Sequence, residues 1–151
     1  MTTEETARHR VVVGVLVRGH MVLLGHRHPD RTWYPNVWDV PGGHNDLGET
    51  PVQALERELE EELGVQIDVA TAVSVLEHAP KPDLDIEVWA IASWTGDVIN
   101  AQPAEHDQIG WFTIEQLDYL VLADAGVATA CRRAVEQVAR RSHDAGDERA
   151  P

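Results

Sequence analysis

Cysteine is nearly absent. Cys131 is the sole thiol in 151 residues, so the chain can form no internal disulfide and no cysteine-based zinc site. Positive charge is scarce too: 12 Lys and Arg stand against 26 Asp and Glu, a net charge of −14. That balance argues against a nucleic-acid polymer or an anionic membrane as partner, because both are bound through basic patches. No apolar run approaches the ~20 residues of a membrane span. The opening MTTEETARHR lacks the apolar segment of a secretory signal. The expectation is a cytoplasmic protein, a monomer or a homodimer. At this length a single domain is expected, with roughly two-thirds of the chain's surface buried.

Carboxylates, by contrast, are abundant and clustered. Residues 43–65 read GHNDLGETPVQALERELEEELGV. Thr50 suits an N-cap, Pro51 the first helical position, and Gln53 completes a capping box. Gly64 is the stop signal, so the spacing predicts a helix over 51–63. At about 100° per residue, Val52, Leu55, Leu59 and Leu63 form one apolar stripe. Glu58, Glu61 and Glu62 share another face, with Glu49 and Glu60 near. Like charges at this spacing repel by a few tenths of a kcal/mol per pair. A solvated acidic face is the bland reading. A hard divalent cation is the functional one, since Mg²⁺ binds through carboxylates and substrate phosphates.

The stretch resembles the signature box of the Nudix hydrolases, G-x5-E-x7-R-E-U-x-E-E-x-G-U with U aliphatic. Gly43, Glu49, Arg57, Glu58, Leu59, Glu61, Glu62, Gly64 and Val65 fill every fixed position. The segment Trp111-Phe112-Thr113 into Ile114 also resembles the family's strand-to-helix ending. The resemblance implies an α/β chain, an α/β/α sandwich with a curved mixed β-sheet. It implies Mg²⁺ or Mn²⁺ held by Glu58, Glu61 and Glu62, with the carbonyl of Gly43 as a further ligand. Arg57 matches the arginine that pairs with the loop glutamate, here Glu49, and orients the catalytic carboxylates. The implied activity is hydrolysis of a nucleoside diphosphate linked to another group. A nucleoside triphosphate, cleaved to monophosphate and pyrophosphate, is the first expectation. ADP-ribose or a nucleotide sugar is the second, because Pro80 follows Val65 at a spacing seen in ADP-ribose pyrophosphatases. A nucleotide-binding sensor that does not cleave is the third, though sensors usually have broken boxes.

One departure concerns the general base. Relatives often carry a late-loop Glu, and aligning Asn100-Ala101-Gln102-Pro103 puts Gln102 there. An amide cannot serve as a base. The candidates are then Glu61 or Glu62 on the helix, which are favoured, and Glu105 on the loop.

The remaining chain supplies the frame. Residues 1–8 and 142–151 are polar and expected to be disordered, leaving a domain over 9–141. Strands are expected at 11–17, 21–25, 65–69, 72–77, 84–94 and 110–113, with a stiff loop at 79–83 and helices at 114–120 and 127–141. His26 and His28 read as loop histidines rather than ligands. Among five Trp, two Tyr and one Phe, Trp33, Tyr34 and Trp38 fall within six residues. Trp38 suits the core, whereas Trp33 and Tyr34 suit stacking on a base. Arg27 and Asn100 are the polar candidates for substrate contact. Cys131 lies on an apolar stripe and reads as core.

Overall fold

The computed structural model describes residues 9–148. The expectation for residues 1–8 falls outside them. In chain order the elements are β1 (His9–Arg18), β2 (Met21–Arg27), β3 (Trp38–Asp39), β4 (Gly42–His44), α1 (Pro51–Leu63), β5 (Gln66–Ile67), β6 (Val73–Lys81), β7 (Leu84–Ile91), β8 (Trp94–Thr95) and β9 (His106–Thr113). A 3-10 turn (Glu115–Tyr119) and α2 (Ala125–Glu148) complete the chain.

The run from Val11 to Val17 is apolar because β1 is buried on both faces. Val12 and Leu16 face α1, packing with Leu55, Leu59 and Leu63. Val13, Val15 and Val17 face α2, packing with Val127, Ala130, Cys131 and Ala134. Each fully buried Val or Leu contributes about 1.5–3 kcal/mol, so the strand ties both helices to one sheet. Strand β1 also carries three pairings. It runs parallel to β7, and it meets β4 along its first half and β2 at its end, both antiparallel. Strand β9 adds to β2, and β6 to β7. A separate small sheet joins β5 to β8. The result is a mixed sheet between two helices, the expected sandwich.

Several boundaries differ from expectation. Strand β6 continues to Lys81, so the anticipated loop shrinks to a turn at Pro82 and Asp83. A register shift between His78 and Lys81 absorbs Pro80, which has no N–H to give a ladder. The strand expected over 84–94 stops at Ile91, and Trp94 pairs instead with Ile67. Helix α2 runs to Glu148, so 142–148 is helical rather than a disordered tail. Once α2 is anchored by packing, adding polar turns costs little. Among the described residues no helix is long and apolar enough to cross a membrane.

Candidate active site

Helix α1 presents its glutamates where strand β4 passes beneath. Its start is set by Thr50, whose hydroxyl accepts from Gln53 N at 3.2 Å, while Gln53 Oε1 accepts from Thr50 N at 2.9 Å. Its end is set by Gly64, in the left-handed region at φ 69°. These two points fix which side chains reach β4. Glu62, only 4% exposed, accepts from Gly42 N at 2.9 Å. Glu58 lies so close to Gly43 that a Cβ there would sit 2.5 Å from Oε2 and 2.6 Å from Oε1. Glycine at 43 therefore leaves the space that the carboxylate fills.

Arg57 organises the cluster. Its Nε and Nη2 donate to the two oxygens of Glu49 at 2.8 and 2.9 Å, a two-pronged bond. Nη1 donates to Glu58 at 2.9 Å and approaches Glu61 at 3.5 Å, and Nη2 reaches the carbonyl of His44 at 3.0 Å. The bond to Arg57 holds the Glu49 carboxyl below its usual range, and the Glu49 bond in turn raises Arg57. Burial pushes Glu58 up, with Arg57 opposing it. Glu61 stays exposed at the rim.

The loop before β9 enters the same place. Gln102 O accepts from Glu105 N at 2.9 Å and from His106 N at 3.1 Å. This turn swings Glu105 inward, where it hydrogen-bonds Glu62. Two carboxyls can do this only by sharing a proton. Burial first, and then this bond, push Glu62 up to about 9. Gln102 itself is exposed, so the alignment that put it in the site is corrected in favour of Glu105. Donor atoms of Glu62, Glu105 and His106 all lie within 4.8 Å of one another. His106 is 5% exposed, and burial lowers it to about 4, so its ring is neutral at pH 7.

Oxygen-rich donors, crowded and short of countercharge, suit a divalent cation: binding replaces the shared proton and offsets the repulsion. Glu62, Glu105 and His106 are the residues whose donor atoms converge closely enough to hold one, with Glu58 beside them against Gly43.

A cleft of about 380 Å³ opens on the other side of Gly42 and Gly43. Its floor is Val13, Ile86 and Val88, and its far wall is the start of α2. Trp33 and Tyr34 line it, and Lys81 Nζ sits 5.4 and 5.0 Å from their ring centroids. Trp38 instead packs on Phe112, edge to face at 4.9 Å. Arg27 lines the cleft but is committed to backbone: it donates to Trp33 O at 2.7 and 3.1 Å and to Tyr34 O at 3.0 Å. It shapes the aromatic loop. Asn100 is not brought to the cleft. Its Nδ2 donates to His106 O at 2.7 Å, which braces the loop carrying Glu105.

Sequence reasoning missed Asp39, His78 and Asp124 in the cleft. Burial raises Asp39 to about 6, and both ring nitrogens of His78 are buried without a partner. Asp39 follows Trp38 directly, so an acid next to an apolar core position was the available signal. His78 and Asp124 carried none, because strand bulge and helix start place them. His28 accepts from Asp30 N and is a loop histidine as expected, whereas His26 falls within strand β2, paired with Trp38 and Gln108, and bonds Asp107 at 2.6 Å. Cys131 is buried, its thiol pushed up to about 12 by burial.

Comparison with known proteins gives the family. An RNA pyrophosphohydrolase of Erythrobacter litoralis is 28% identical over 140 residues, covering 78% of this chain and 84% of that protein. An 8-oxo-dGTP diphosphatase of Proteus vulgaris is 27% identical over 89 residues, 58% of this chain and 80% of its own. A MutT Nudix hydrolase of Burkholderia pseudomallei shares the fold at a TM-score of 0.71 and 24% identity, over 83% of this chain and 97% of that one. The NUDIX domain model matches residues 7–135, so the chain belongs to the Nudix family and is a MutT-like Nudix hydrolase.

Proposed function

We propose that the protein hydrolyses a nucleoside triphosphate to the monophosphate and pyrophosphate, with Mg²⁺ or Mn²⁺ required. One observation carries this reading: the carboxylate cluster and the aromatic-walled cleft share the Gly42–Gly43 rim. A nucleoside in the cleft would lay its phosphates across that rim onto the glutamates. A volume of about 380 Å³ lies in the range of small-ligand sites and suits one nucleoside. Nucleoside triphosphate relatives support the choice, among them the Proteus vulgaris diphosphatase.

A bound divalent cation supplies charge neutralisation and Lewis acidity at the phosphates. The chain's own residues do the rest. Glu62 and Glu105, with Glu58, would hold the cation. Arg57 fixes Glu58 and the Glu49 loop so the cluster does not reorganise during reaction. Among the glutamates at the fixed positions of the box, Glu49, Glu58, Glu61 and Glu62, Glu61 alone is exposed, and it accepts the proton of the attacking water. Trp33 and Tyr34 stack on the base. For the ADP-ribose reading, Pro80 is exposed in β6 and adds no contact to the cleft.

The net charge of −14 favours a free nucleotide over a polymer, although relatives in Erythrobacter litoralis, Mesorhizobium japonicum and Rhizobium meliloti are named RNA pyrophosphohydrolases. The test is a panel at saturating Mn²⁺: nucleoside triphosphates, ADP-ribose, a nucleotide sugar and a 5′-triphosphate RNA. Highest kcat/KM on a free triphosphate is expected. Preference for any other member would overturn the substrate assignment, and binding without turnover would make the protein a sensor.

A further inference from the structure

His106 is the residue at this site that the hydrolysis chemistry leaves without a role. It opens β9 directly after Glu105 and is 5% exposed. Its ring lies against β2, where Gly25 makes room: a Cβ at 25 would sit 2.5 Å from its Cδ2 and 2.9 Å from its Nε2. Among the described residues no hydrogen bond reaches its ring. The neighbouring His26 is paired to Asp107 at 2.6 Å. One nitrogen of the His106 ring and a carboxylate oxygen from each of Glu62 and Glu105 all lie within 4.8 Å of one another. Two donors on one ion, with bonds of about 2.0–2.2 Å, lie at most ~4.4 Å apart. A small side-chain adjustment closes the difference.

We propose that His106 is a nitrogen ligand, making the Glu62–Glu105–His106 group a mixed nitrogen–oxygen site that selects a first-row transition ion such as Mn²⁺ over Mg²⁺. This rests on the reading that Glu62 and Glu105 hold a cation. The selection follows from ligand character. Mg²⁺ takes oxygen donors and retains water, whereas imidazole binds Mn²⁺, Co²⁺ and Zn²⁺ with affinity rising along the series. Gly25 is part of the device, since any larger residue would displace the ring.

The test is pulsed electron paramagnetic resonance on the full chain loaded with one equivalent of Mn²⁺, beside Mn²⁺ and Mg²⁺ binding isotherms. Samples are grown with natural and with ¹⁵N-labelled histidine. The expected result is a directly coordinated nitrogen coupling that changes isotope with the label. In His106→Gln that coupling disappears, Mn²⁺ affinity falls about 10–100-fold or more, and Mg²⁺ affinity changes little. Stoichiometric Mn²⁺ binding without nitrogen coupling in the wild type overturns the His106 assignment and leaves the carboxylate site standing. Coupling that persists in a folded His106→Gln assigns another histidine and also overturns it. Failure of the wild type to bind either ion sinks the metal reading itself. The wild-type measurement decides the question even if His106→Gln does not fold.

Discussion

Arg57 makes more polar contacts in the site than any single glutamate does. Its fork spans Glu49 in two bonds and reaches Glu58 and the His44 carbonyl besides. Lysine keeps the charge but offers one point rather than a planar fork. Arg57→Lys should therefore lower kcat on the order of 10²-fold through misplaced carboxylates, while stability drops by less than about 1 kcal/mol. Steady-state kinetics with a melting curve checks both, and equal collapse of the two would make Arg57 a folding residue. Asp39 gives a pH-dependent prediction. Burial raises its carboxyl from 3.8 to about 6. Its contribution is therefore intact below pH 3.8 and lost as pH rises through 6, where the buried carboxylate must charge. Asparagine keeps the acceptor that Val40 N uses at 2.8 Å and never charges. Asp39→Asn should raise Tm by a few degrees at pH 7.5, on the order of 1 kcal/mol, and change it little at pH 4. A gain of equal size at both pH values would mean that ionisation is not the cause.

At the scale of elements, α1 was readable because its limits are local chemistry. Thr50, Pro51, Gln53 and Gly64 each act within a turn or two, and the helix spans Pro51–Leu63 as their spacing predicts. The loop before β9 was not readable. Glu105 reaches Glu62 because Gln102 O closes a tight turn and Asn100 braces His106. No periodicity encodes such a turn, and counting along the loop placed Gln102 where Glu105 belongs. The correction separates three variants. Glu105→Gln should weaken metal binding about 10–100-fold and be rescued in part by excess metal. Glu61→Gln, as loss of a general base, should lower kcat about 10²–10⁴-fold without rescue. Gln102→Glu, exposed and acting through its backbone, should change neither. Metal titrations of kcat in the three proteins test this. Rescue of Glu61→Gln by metal would exchange the two roles.

For the whole molecule, the sandwich was implied by the family resemblance, and the unbroken apolar run of β1, which by itself reads only as a buried strand, fits it by packing against a helix on each face. The cleft did not follow. It is assembled from β1, β6, β7 and the start of α2, segments far apart in sequence, so no local signal marked His78 or Asp124, and only the step from core Trp38 to an acid marked Asp39. The split of labour across the sheet is the central feature: carboxylates on the α1 side, a nucleoside-sized cleft on the α2 side, and Gly42–Gly43 between. Because the carboxylates repel when empty, metal should stabilise the fold. At a hundredfold excess over Kd the gain is about 2.7 kcal/mol, a Tm rise of roughly 5–10 °C. The most direct measurement is phosphorus NMR of a nucleoside triphosphate turned over by the wild type, with Mn²⁺ or Mg²⁺ and again in excess chelator. The account predicts monophosphate and pyrophosphate with metal, and unchanged substrate with chelator. Nucleoside diphosphate with orthophosphate, or turnover that persists in chelator, would contradict it.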